Sequence, residues 1–144
     1  MQFIKATEAD KEYFANLNEL AYRTVVERQL GCWDVEKERE KFDAKWREQS
    51  FEKVYINGAL VGGFWIQEFE EYIQLRELQI HPRFQNQGIG TKTLNILIRK
   101  AGDAGKQLRL RVLLENPCVN LYKRLGFRVV GQTDVQYHMV YGPQ

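Results

Sequence analysis

Two short stretches and a few carboxylates hold the residue types that could do chemistry in this chain. In Ile80-His81-Pro82-Arg83-Phe84-Gln85-Asn86-Gln87-Gly88-Ile89-Gly90-Thr91 an apolar strand ends and Pro82 stops the ladder. A polar loop with two glycines then leads into the amphipathic run Leu94, Ile96, Leu97, Ile98. A strand, loop and helix start of this kind suits an anion. The first N–H groups of a helix have no internal partner and carry the positive end of its dipole, and glycines at 88 and 90 admit a ligand without a Cβ in the way. Two phosphate loops fit poorly: in Gly90-Thr91-Lys92 the lysine comes too late for a Walker loop, and Thr93 stands where the dinucleotide fingerprint needs a small residue. Cys32 and Cys118 form neither a disulfide framework nor a metal pair, and His81 and His138 have no companion nucleophile, so no metal site is expected.

Gln85-x-x-Gly88-x-Gly90 after a strand resembles the pyrophosphate loop of the GNAT superfamily of acyl-CoA-dependent N-acyltransferases. Downstream, Asn116-Pro117-Cys118-Val119-Asn120-Leu121-Tyr122-Lys123-Arg124-Leu125-Gly126-Phe127 resembles the family's Asn…Leu-Tyr-x-x-x-Gly-Phe segment. The two span residues 72 to 130, and nothing comparable precedes residue 50. The resemblance implies acetyl-CoA as cosubstrate. Its diphosphate would lie on Gln85, Asn86, Gln87, Gly88, Ile89, Gly90 and Thr91, and its pantetheine arm would run beside the backbone of Leu78, Gln79 and Ile80 and meet the Asn116 amide. A plainer role for Asn116 is to cap the helix that begins at Pro117.

Moving an acetyl group from a thioester to an amine requires deprotonating the amine, stabilising an oxyanion and protonating a thiolate. The resemblance gives Tyr122 the acid's part, since a phenol of pKa about 10 is protonated at neutral pH; otherwise Tyr122 is a core residue. Amides near Gln79 and Ile80 would serve the oxyanion. For the base, Gln74 stands where family members often carry a carboxylate and cannot take a proton, which leaves Glu77, or Glu68, Glu70 or Glu71 acting through water. The implied function is N-acetylation of a primary amine by direct attack in a ternary complex. The alternatives are a non-catalytic acyl-CoA sensor of the same fold and a generic nucleotide-binding protein.

Positioning these residues takes one α+β domain over residues 1 to 144, with a mixed, mainly antiparallel sheet of about seven strands and about four helices. Phe3 to Ala6 reads as a strand. Tyr13, Phe14, Leu17, Leu20, Ala21 and Val25 form a helical stripe ended by Gly31, and Asp34 caps a charged helix running to about Gln49. Trp33, Phe42 and Trp46 are either core or the lining of an acceptor pocket. Strands Phe51 to Ile56 and Ala59 to Phe69 flank the hairpin signal Asn57-Gly58, and Gly62-Gly63 marks a bulge or close approach. In Tyr72 to Ile80 the apolar set Ile73, Leu75, Leu78, Ile80 breaks its alternation once, which predicts a bulge near Arg76-Glu77. A helix from Gly88 to Ala101, a strand over Gln107 to Leu114, a short helix ended by Gly126, and strands Phe127 to Val130 and Tyr137 to Val140 complete the chain.

The 144 residues, 44% hydrophobic and 28% charged, suit a globular domain, and no apolar run reaches membrane-spanning length. Met1 to Thr7 lacks the core of a signal peptide, so a cytoplasmic protein is expected. Residues 1 to 72 carry 10 basic against 15 acidic side chains, and residues 73 to 144 carry 11 against 4, which makes the halves −5 and +7. A phosphorylated ligand would be drawn to the second half and a cationic amine, as small molecule or peptide, to the first. No aromatic-basic pattern supports nucleic acid, and a homodimer stays open.

Overall fold

The computed structural model describes residues 1 to 143. Strand β1 (Gln2–Lys5) leads through a 3-10 turn (Glu8–Asp10) to helices α1 (Lys11–Leu30) and α2 (Val35–Glu48). Strands β2 (Glu52–Ile56), β3 (Ala59–Glu68) and β4 (Tyr72–Ile80) follow, then a second 3-10 turn (Pro82–Phe84) and α3 (Ile89–Asp103). The chain ends with β5 (Gln107–Leu113), α4 (Cys118–Leu125), β6 (Arg128–Gln132) and β7 (Gln136–Tyr141). The strands form a seven-stranded mixed sheet in the order β1-β2-β3-β4-β5-β7-β6, the α+β arrangement read from the sequence. β4 and β5 pair in parallel, with α3 as the crossover such a pair needs. Among the described residues no helix is long and apolar enough to cross a membrane.

Two compact units divide the chain: Met1–Trp65 with Glu77–Gln87, and Ile66–Arg76 with the chain from Gly88 onward. The first is built on an aromatic cluster of Phe14, Leu17, Phe42, Trp46, Phe51 and Trp65, with Phe14 and Phe51 stacked at 4.5 Å between centroids. Phe42 and Trp46 are therefore core and do not line an acceptor pocket; they are 4% and 5% exposed. Asp34 caps α2 by accepting from the Lys37 N–H at 3.1 Å. Asn57 and Gly58 both have positive φ, +50° and +81°, and make the tight β2–β3 turn. Beyond it Tyr55 pairs with Leu60 but Val54 pairs with Gly62, so Val61 is an extra residue in β3, the bulge that the glycines signalled. A Cβ on Gly62 would run into the Gln79 carbonyl oxygen, so glycine lets β3 and the end of β4 approach closely.

In the second unit the buried side chains of α3 are Ile89, Thr93, Leu94, Leu97 and Ala101. The helix runs past Gly102 to Asp103. Its end is made by Gly105 (φ +69°), where the Lys106 N–H returns to the Ala101 carbonyl at 2.8 Å in a Schellman closure. Gly126 (φ +107°) ends α4 as expected. Strands β6 and β7 are longer than their apolar residues suggested, because Thr133 Oγ1 accepts from the N–H groups of Val135 and Gln136 and confines the turn between them.

Candidate functional site

Burial along β4 alternates without a break: Ile73, Leu75, Glu77 and Gln79 are buried, while Leu78 and Ile80 are half-buried. The inner row thus changes from apolar to polar after Leu75, and the division between the two units falls at the same point, between Arg76 and Glu77. A buried carboxylate is tolerable only when donors replace its lost water. Glu77, 8% exposed, has three. Its Oε2 accepts from the Tyr22 hydroxyl at 2.6 Å and from Gln79 Nε2 at 3.3 Å, and its Oε1 accepts from Lys45 Nζ at 2.5 Å. Gln79 Nε2 also donates to Asn18 Oδ1 at 3.4 Å, while Gln79 Oε1 is buried with no partner.

Three elements converge to build this cluster. Asn18 and Tyr22 stand four residues apart on α1, on one face. Lys45 precedes Trp46, whose burial in the aromatic cluster fixes the turn of α2 that presents the ammonium. None of the three was singled out from the sequence. The signal was the polar pair Asn18 and Tyr22 beside an apolar stripe in which Leu20, counted as apolar face, is 46% exposed. Glu68, Glu70 and Glu71, the other candidate bases, are exposed, and Glu68 pairs with Lys100 at 3.0 Å.

The glycine loop has the geometry that its residue types implied. Asn86 and Gly88 take positive φ, +63° and +77°, and Gly88 is the N-cap of α3. Lys92 N–H donates to the Gly88 carbonyl at 3.0 Å, the first bond of the helix, so Ile89, Gly90 and Thr91 supply N–H groups with no partner within the helix. Gln85 Nε2 donates to the Ile80 carbonyl at 2.9 Å and ties the loop to the strand end, while Asn86 and Gln87 are exposed. A Cβ placed on Gly88 meets nothing within 4 Å, so the space beside this residue is open. In the second unit Asn116 Oδ1 accepts from the Cys118 N–H at 2.9 Å, the capping role foreseen as its alternative. Tyr122 is 8% exposed, with its ring edge-on to Phe127 at 5.6 Å.

Chemically, Glu77 is a buried carboxylate that already holds a primary ammonium, and the loop begins a helix whose first N–H groups have no partner within it. Lys45 is about a third exposed and Glu77 almost wholly buried, so their pair lies between the surface and interior limits. A double-mutant cycle of Lys45→Met and Glu77→Gln, read by urea unfolding, is expected to give a coupling of about 1–3 kcal/mol; additive effects would show the pair to be energetically idle.

Residues 12 to 127 match the sequence model of the acetyltransferase (GNAT) family. An uncharacterized N-acetyltransferase of Methanocaldococcus jannaschii is 35% identical over 89 residues, which are 56% of this chain and 39% of that relative. The chain thus spans about two fifths of the length of the curated relative it matches. Among solved structures, the PaiA N-acetyltransferase of Thermoplasma acidophilum, in complex with coenzyme A, superposes with a TM-score of 0.77 at 16% identity, covering 96% of each chain. A GNAT family acetyltransferase of Elizabethkingia anophelis with acetyl-CoA bound gives 0.68 at 16% identity, covering 96% of this chain and 95% of that one. At these identities the structural likeness speaks for the fold, and the family match over most of the chain shows that this protein belongs to the GNAT acetyltransferase family.

Proposed function

We propose that residues 1 to 144 act as one N-acetyltransferase domain that moves an acetyl group from acetyl-CoA to a primary amine by direct attack in a ternary complex. The observation that carries this reading is the cluster around Glu77, the buried carboxylate that accepts from a primary ammonium at 2.5 Å. That carboxylate holds an –NH3+ group in the free protein, and a substrate ammonium that replaces Lys45 would find the same acceptor. Glu77 then takes the proton, directly or through water, and the freed amine attacks the thioester carbon. As the C–N bond forms and the C–S bond breaks, Tyr122 gives its proton to the leaving sulfur, and the backbone N–H groups near Gln79 and Ile80 serve the carbonyl oxygen. Coenzyme A would be held by its diphosphate on Gln85 to Thr91, by its pantetheine beside Leu78, Gln79 and Ile80, and by the amide of Asn116.

Gly88 reports on the coenzyme. Gly88→Ala adds one methyl group where the free protein has open space, at a backbone cost of about 1–2 kcal/mol. In calorimetry the folded variant is expected to lose coenzyme A affinity by at least about tenfold; unchanged affinity would move the diphosphate elsewhere. Turnover reports on the enzyme reading: primary amines should stimulate thiol release from acetyl-CoA, and Tyr122→Phe should lower kcat by about 10²-fold while nearly keeping coenzyme affinity. Coenzyme binding without release by any amine would instead mark a non-catalytic acyl-CoA-binding protein.

A further inference from the structure

The second unit contains a cavity of about 430 Å3, within the size range of small-molecule sites, that the proposed reaction does not use. Strand register explains who lines it. Gln74 pairs with Arg109, Arg109 with Val140, and Val140 with Arg128, while Arg111 pairs with His138. Side chains of directly paired residues share a face, so Arg109, Arg111, Arg128 and His138 come together on one side of the sheet, and all four line the cavity. The opposite face carries the buried Leu108, Leu110 and Val112, paired with Tyr141, Met139 and Tyr137. That is the side of Tyr122, which reaches Tyr141 through Phe127.

Among the described residues no carboxylate lines the cavity, and none of the three arginines has an ion-pair partner. Arg109 is held for binding: its guanidinium lies 3.9 Å over the Tyr72 ring and its Nε donates to Gln107 Oε1 at 3.1 Å. Arg128 Nη1 donates to the Gly142 carbonyl at 2.6 Å, while its Nε is buried with no partner. Arg111 is exposed at the cavity, and no side-chain hydrogen bond holds its guanidinium among the described residues. Three like charges gathered without counter-charge repel one another, and guanidinium forks match carboxylate and phosphate oxygens in pairs. We infer that this cavity, on the sheet face opposite Tyr122, is a second binding site for a small molecule bearing carboxylate or phosphate oxygens, separate from the coenzyme loop.

The test titrates inorganic phosphate, and separately succinate, into the intact protein by calorimetry, with and without saturating coenzyme A. Saturable binding of at least one anion is expected to persist under saturating coenzyme A, weakened there about tenfold in Arg111→Gln and less in Arg111→Lys. Arg111 is exposed, so both variants should keep the wild-type melting temperature. The preferred anion then separates a phosphorylated ligand from a carboxylic one. Absence of saturable binding up to about 50 mM, equal affinity in Arg111→Gln, or loss of anion binding once coenzyme A is present would each overturn the inference.

Discussion

A single buried carboxylate sets the terms for the first unit. Glu77 is 8% exposed on β4, and an unpartnered charge there would cost several kcal/mol. Its donors therefore cannot be incidental. Tyr22 must come from α1, Lys45 from α2 and Gln79 from β4 itself, so one charge fixes the facing of two helices and a strand. The aromatic cluster supplies the apolar stabilisation that makes this possible, with Trp46 anchoring the turn that carries Lys45. Gly62 lets the backbone of β3 come close to Gln79.

The glycine loop obeys a different constraint, in the backbone. Positive φ at Asn86 and Gly88 turns the chain into α3, whose first N–H groups have no partner within the helix. Side chains contribute little there beyond Gln85, which ties the loop to Ile80. A loop whose geometry rests on the backbone depends on few residue identities, so glycine spacing marks it in the sequence.

This contrast explains what could be read from the sequence. The loop and the Asn116 to Phe127 segment are contiguous, so their residues announce themselves by spacing, and strand and helix periods were strong enough for the order of elements. Tyr22 and Lys45 are brought to Glu77 across 55 and 32 residues of chain and Asn18 to Gln79 across 61, and nothing local marks them. The cationic cavity is similar. Arg109 and Arg111 were visible as the polar alternation of β5, but their meeting with Arg128 and His138 depends on register across β7 and β6. Phe42 and Trp46 could not be told from a pocket lining until Phe14, Phe51 and Trp65 were seen to enclose them.

The same carboxylate that organises the first unit is also proposed to accept the proton of the attacking amine. The decisive measurement is the pH dependence of kcat/KM for Glu77→Gln with the best amine found, beside the wild type, in a variant shown to be folded. Gln keeps the shape and removes the basicity. The expected result is a loss greatest at neutral pH and partly recovered at alkaline pH, where more of the free amine is already deprotonated. A variant whose profile matches the wild type would contradict the role of Glu77 in proton transfer and leave it as a structural anchor alone.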